Sequence, residues 1–286
     1  MNNKKILLGD NPFFGIDHLS QERARQRAKV LTGVEKIAEV IEFASNLGVN
    51  DFVVSTHPQL KDLIEHLKSK TTLLETLNFY PILPYAQGYV SKSTEKGMAG
   101  AINDIVTTGS LQKKVQIFFN GTIGLVKKDY DKLLRTFIDV ELLPLGKVKT
   151  NTIFLHNIVT DLAMSLGLKN VFETFVEHVE DKYKKEAGLV TKNFPKLLST
   201  LEQWNMKIPT IMTSFNPIGY QMNPSREDCE AGLLKTSKVI AMNVLAGGFL
   251  KPDKSAEYIS GLKLNSVVIG MSTIDHVKET IAAFRS

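Results

Sequence analysis

The sequence predicts an α/β protein, a single (β/α)8 TIM barrel running over residues 1–286. Short runs of Val, Ile, Leu and Phe alternate with longer amphipathic segments along the whole chain, the pattern of a parallel sheet with crossover helices. No stretch rich in Pro, Gly or Ser divides the chain, and no internal repeat interrupts the alternation. Barrels of this kind commonly need about 250 residues, so 286 residues suit one such unit.

Taken in order, strands are predicted at Lys5 to Gly9, Asp51 to Ser55, Phe79 to Leu83, Val115 to Phe119 and Thr152 to Leu155, then at Ala187 to Val190, Thr210 to Ser214, Val239 to Val244 and Ser266 to Ile269. Each is short, apolar and rich in β-branched or aromatic residues. Gly33 to Asn46 carries Val34, Ile37, Ala38, Ile41 and Ala44 at helical spacing, which puts one apolar stripe against the sheet. Leu162 to Lys184 repeats the pattern with Val171, Phe172, Phe175 and Val179. A third helix is predicted over Thr273 to Phe284, with Ser272 or Thr273 as N-cap and Asp275 favourably placed at the positive end of the dipole. These nine strand candidates compete for eight places, and the surplus is expected between Phe79 and Thr122, a region that holds two.

Composition narrows the function. Hydrophobic residues make up 43% and charged residues 23% of the chain, ordinary usage for a globular protein with a large core. The net charge of +5 is spread in short mixed clusters that read as solvated helix faces, with no basic stripe for nucleic acid. Cys229 is the only cysteine, which excludes an intrachain disulfide and suits a reducing compartment. The apolar run after Lys4 and Lys5 is broken at Gly9 and Asp10, too soon for a signal core or a membrane span, so a cytoplasmic protein without membrane partners is expected.

In barrels the chemistry sits after the carboxyl ends of the strands. Polar residues gather there: Asp10 and Asn11, Ser55 to His57, Tyr85 and Gln87, Asn120 and Thr122, His156 and Asn157, Lys192 and Asn193, Ser214 and Asn216, Asn243, Ser272 and Thr273. Any one could simply cap a helix. Together they suit a small polar ligand. Asp10 could serve as a base or hold a cation, and Leu8 to Ser20, with Phe13, Phe14, Gly15, Asp17 and His18, reads as a loop folded over the mouth. Glu65 with His66, and Glu177, His178 and Glu180, fall mid-helix and read as solvated faces, so no metal site is expected there. A cation site drawing Asp10, His57 and His156 from separate strands stays open.

The C-terminal sixth carries the most specific signal. Ile240 to Leu250 reads IAMNVLAGGFL and Val267 to Glu279 reads VVIGMSTIDHVKE. Gly247 and Gly248 would let backbone approach a ligand, while Gly270, Ser272 and Thr273 would present donors at a helix N-terminus, a geometry suited to phosphate. The two runs resemble the last two strand-and-loop units of the aldo-keto reductases. Phe215 to Pro217 resembles that family's YNP, Lys192 to Phe194 its SNF, Leu155 and His156 its strand-end histidine, and Leu47 to Asn50 its GIN. The resemblance implies an NAD(P)-linked oxidoreductase acting on a small carbonyl or alcohol metabolite. It assigns His156 to the substrate carbonyl, Asn193 to the nicotinamide carboxamide and Glu279 to the adenine. Ser214, Asn216, Gly247, Gly248, Gly270, Ser272 and Thr273 complete the expected cofactor contacts.

Other positions depart from the family. Its aspartate aligns with Val53, its tyrosine with His57 or Pro58, and its second carboxamide ligand with Met212. Leu83, Pro84 and Tyr85 stand where its lysine ends the third strand, and no arginine follows Ser272, which leaves Lys278 as the nearby cation for a 2′-phosphate. Without the proton-donating tyrosine and its two neighbours the family's usual mechanism cannot run, so His57 and Tyr85 become candidate replacement donors. Two alternatives stand beside the oxidoreductase: an aldolase, isomerase or lyase acting on a phosphorylated metabolite, and a catalytically inactive protein that senses a nucleotide or metabolite.

Overall fold

Eight parallel strands close on themselves in chain order. They are β1 (Lys5–Gly9), β2 (Asp51–Ser55), β3 (Asn78–Leu83), β4 (Thr152–Leu155), β5 (Glu186–Val190), β6 (Thr210–Ser214), β7 (Val239–Met242) and β8 (Ser266–Gly270). The computed structural model describes residues 4–14, 33–85 and 130–286. β3 pairs directly with β4, and β8 returns to β1 from Lys5↔Ser266 to Gly9↔Gly270, so the closed order leaves no place for a ninth strand. Val115 to Phe119, Gly15, Asp17, His18, Gln87, Asn120 and Thr122 lie outside the described residues.

The helices on the outside are α1 (Val34–Asn46), α2 (Leu60–Ser69), α3 (Thr71–Thr76), α4 (Tyr130–Leu142), α5 (Asn157–Ser165), α6 (Lys169–His178), α7 (Phe194–Gln203), α8 (Arg226–Gly232), α9 (Pro252–Ser260) and α10 (Ile274–Arg285). α1 buries Ile37, Ala38, Ile41 and Ala44, the stripe its spacing predicts. The helix expected over Leu162 to Lys184 is two. α5 stops before Gly167, whose φ of 68° cannot continue a right-handed helix, and α6 runs on through a π-helical turn at Val179–Tyr183. α10 is capped by Thr273, whose side-chain oxygen accepts from the His276 N–H.

Both faces of the strands are buried, which is why they read as near-continuous apolar runs. Outward residues such as Phe52, Leu155, Ile211 and Val267 join the helices. Inward residues Leu7, Val53, Tyr80, Phe154, Val190, Met212 and Ile240 fill the barrel as a separate cluster. Phe154 takes the space above Gly188, where an added Cβ would stand 2.4 Å from the Phe154 ring. At the amino ends, Lys5 Nζ lies 2.7 Å from Asp51 Oδ1 and donates to the Tyr80 hydroxyl at 3.1 Å, while Thr152 and Thr210 donate to Glu186. Polar links thus seal the floor beneath the apolar plug. Cys229 is buried and burial pushes its thiol up to about 11, which removes it as a nucleophile. Among the described residues no helix is long and apolar enough to cross a membrane.

Candidate functional site

A cavity of about 580 Å³ opens at the carboxyl ends of the strands, resting on Val53, Val190, Met212 and Val268 of the interior plug. The inward alternation places Gly9, Ser55, His156, Lys192, Met242 and Gly270 one step above that plug, and all of them line the cavity. Val53 and Met212 therefore give the site an apolar floor at the positions where the resemblance implies an aspartate and a glutamine.

On one wall, Asp10 follows β1 and is 5% exposed. Its carboxylate accepts from the Ser55 N–H at 2.6 Å and from the Ser55 hydroxyl at 2.5 Å. Burial outweighs those bonds and pushes its pKa up to about 6. The turn after Asp10 closes with Phe13 N–H donating to the Asp10 carbonyl, buries Phe13 edge-on against Phe52, and stacks Phe14 on His57 at 4.2 Å. Tyr85 meets the other side of His57 edge-on at 4.7 Å. Tyr85 lines the cavity; burial, then the charge of Asp10, raises its pKa. Glu141 of α4 accepts from the Thr56 hydroxyl and the Tyr85 N–H, so one buried carboxylate ties the ends of β2 and β3 together.

His57 is a packing residue in this arrangement. Its Nδ1 accepts from the Gln59 N–H, burial lowers its pKa, and the side chain is held between two aromatic rings, away from the cavity lining. His156 is both a helix cap and a lining residue of the cavity. Its Nδ1 accepts from Ile158 N–H as the N-cap of α5, and the ring also lines the cavity. With Nδ1 accepting, Nε2 carries the proton in the neutral ring.

Of the expected cofactor contacts, Gly247, Gly248, Gly270, Ser272 and Glu279 line the cavity, while Asn193, Ser214 and Asn216 do not. The Asn216 amide is used up by the Tyr220 backbone and the Asn243 carbonyl, and the Ser214 hydroxyl accepts from Asn243. Asn216 thus fastens the β6 loop to β7. Gly247 and Gly248 have φ of 71° and 87°, and Asn243 and Ala246 also carry positive φ, so the β7 loop concentrates unusual backbone beside the cavity, with Gln221 of the β6 loop adding one more such residue. Gly270 serves packing, because an added Cβ would stand 2.8 Å from Pro12. Thr273 spends its side chain on the α10 cap.

His276, which no sequence motif singles out, also lines the cavity, with its Nδ1 3.0 Å from the Ser272 hydroxyl. Its signal was positional: Ser272, His276, Glu279 and Thr280 fall at helical steps on one face. Lys278 instead points to α1, with Nζ 5.5 Å from the Phe43 ring. Among the described residues no group of three His, Cys, Asp or Glu could hold a metal ion, Asp10, His57 and His156 included. His178, from one of the acidic clusters, pairs with Asp139 at 2.7 Å.

No protein-family model matches the chain, and no curated protein matches it. Solved structures do. A protein from Pseudomonas aeruginosa described as an aldo-keto reductase aligns with a TM-score of 0.63 at 14% identity, over 98% of this chain and 90% of its own. A protein described as 2,5-diketo-D-gluconic acid reductase B gives 0.58 at 10%, over 99% and 82%. The aldo-keto reductase from Bacillus halodurans in its holo form gives 0.56 at 10%, over 99% and 86%. At this identity the likeness is one of fold: the chain is an aldo-keto reductase-like TIM barrel.

Proposed function

We propose that this barrel is an NAD(P)-linked oxidoreductase that interconverts a small carbonyl compound and its alcohol, with Asp10 and Ser55 replacing the family's proton-donating trio. One observation carries the reading. A buried carboxylic acid poised at about pH 6 is hydrogen-bonded to a cavity-lining hydroxyl, in a cavity that also holds the His156 imidazole. A proton donor tuned near neutrality is what carbonyl reduction requires.

His156 Nε2–H donates to the carbonyl oxygen, a bond that strengthens as charge develops there. Asp10 gives its proton to Ser55 as the Ser55 hydroxyl passes its own to the forming alkoxide. In the oxidising direction the ionised Asp10 takes the proton back by the same route. The fit for a dinucleotide rests on Ser272, His276 and Glu279 along one face of α10 and on the positive-φ glycines Gly247 and Gly248 opposite, polar groups and open backbone suited to an adenosine and its phosphates. When bound, the nicotinamide would supply the hydride. Titration with NADH and NADPH, read by nicotinamide fluorescence, tests the reading; binding of neither refutes it.

The absence of Asn193 and Asn216 from the cavity wall favours a second reading, a non-redox barrel enzyme for a phosphorylated metabolite. Stabilisation by small sugar phosphates, with no response to either dinucleotide, would select it.

A further inference from the structure

The wall opposite Asp10 holds a feature that the proposed proton transfer does not use. Lys192 follows β5 by two residues, on the inward side of Val190, and is the one lysine among the described residues that line the cavity; no arginine joins it. Its ammonium makes no ion pair among the described residues. The positive charge of Lys192 favours the ionised form of Asp161, but both oxygens of that carboxylate are already engaged.

Asp161 holds the strand end. Its Oδ1 accepts from the Thr191 hydroxyl at 2.5 Å and its Oδ2 from the Lys192 N–H at 3.1 Å. Thr191 N–H donates to the Met212 carbonyl, the Asn193 N–H donates to Thr191 Oγ1, and Asn223 Nδ2 donates to the Lys192 carbonyl. Side chains from α5 and the β6 loop therefore fix the backbone on both sides of Lys192. A mainly buried carboxylate is thus spent on placing Lys192, a residue that lines the cavity. His156 leaves the neighbouring strand at the level of Val190, since Leu155 pairs with Leu189. In the strand register Lys192 thus stands two residues beyond His156, about 7 Å along the strand.

We infer that Lys192 receives an anionic group of the substrate, so that the metabolite is an anionic carbonyl compound whose carboxylate or phosphate meets Lys192 while its carbonyl oxygen meets His156. This deepens the proposed function and rests on it for the identity of the carbonyl. A fixed lysine without a counter-ion gains a charge-assisted bond when the anion arrives and breaks no existing pair. Among the described residues the acids that line the cavity are Asp10, which follows β1, and Glu279 of α10, away from the β5 end.

The test uses matched probes on the cofactor-free protein by calorimetry: pyruvate against methyl pyruvate, and dihydroxyacetone phosphate against dihydroxyacetone. The anionic member of at least one pair should bind about tenfold or more tighter than its neutral partner, as expected of one hydrogen bond to a charged group. That preference should vanish in Lys192→Gln and persist in Lys192→Arg. Which pair responds separates a carboxylate from a phosphate. Equal affinity within both pairs, or a preference that survives in Lys192→Gln, overturns the assignment. Turnover with NADH or NADPH on the neutral probes tells the two readings apart: activity there, without anion preference, leaves the oxidoreductase standing and removes the Lys192 site.

Discussion

Replacing Asp10 by Asn removes one titrating group from the buried wall while keeping an oxygen that can accept from Ser55. In the wild type, burial raises the Asp10 pKa from 3.8 to about 6, a difference equivalent to about 3 kcal/mol. Between those pH values the folded protein holds a proton that the unfolded chain has released, so stability falls as pH rises. The loss begins near the unfolded value, 3.8, and is complete once pH has passed about 6. Asp10→Asn has no such dependence. The stability of the variant relative to wild type should therefore improve by about 2.5 kcal/mol between pH 4 and pH 7.5, whatever fixed cost the altered bonds to Ser55 impose. Urea unfolding of both proteins at both pH values measures this. With a slope of about 3 kcal/mol/M for a chain of this size, the relative midpoint should move by about 1 M. A relative midpoint that stays the same across this range would refute the argument that Asp10 is buried as an acid, and the proton route through Ser55 would fall with it.

The same group sets the expected activity profile: carbonyl reduction by the wild type should weaken as pH rises through about 6, and alcohol oxidation should strengthen. A profile flat across that pH would contradict the assignment. His156→Asn keeps an oxygen able to cap α5 and removes the imidazole N–H, so turnover should drop about a hundredfold with melting nearly unchanged; a lower melting temperature at full specific activity would make His156 a cap alone. Gly188→Ala puts a methyl group 2.4 Å from the Phe154 ring and should cost about 1–3 kcal/mol of stability, read by urea unfolding; an unchanged midpoint would mean the plug has slack. With no arginine after Ser272, any preference for NADPH over NADH should stay under about a hundredfold, or about 2.7 kcal/mol. His276→Ala should erase what preference there is, and fluorescence titration decides.

The strands were legible because each is buried on both faces, so Leu7, Val53, Phe154 and Val190 announce themselves by apolarity alone. The strand-end histidine, the glycines of the β7 loop and Gly270 at the end of β8 could be placed at the cavity because their positions follow directly from the strands that carry them. His276 was hidden because helical spacing, and no motif of its own, puts it on the cavity side of α10. Asn193 and Asn216 illustrate the opposite failure. They match family motifs, yet Asn216 spends its amide on neighbouring backbone, a competition that only a three-dimensional arrangement reveals. Leu162 to Lys184 read as one helix because apolar spacing continues across Gly167, while backbone handedness does not.

The sealed floor has a kinetic consequence. Lys5, Asp51 and Tyr80 close the amino end beneath a packed interior, so among the described residues the way to Val53, Val190 and Met212 leads past the loops that carry Asp10, Lys192 and Gly247. Two ligands sharing such a blind passage cannot exchange independently. Whichever rests on the apolar floor must arrive first and depart last, and its departure waits on the one above it. If two ligands share the cavity, a compulsory order of binding, with the outer ligand slowing escape of the inner one, is the expected consequence of the way the barrel is plugged.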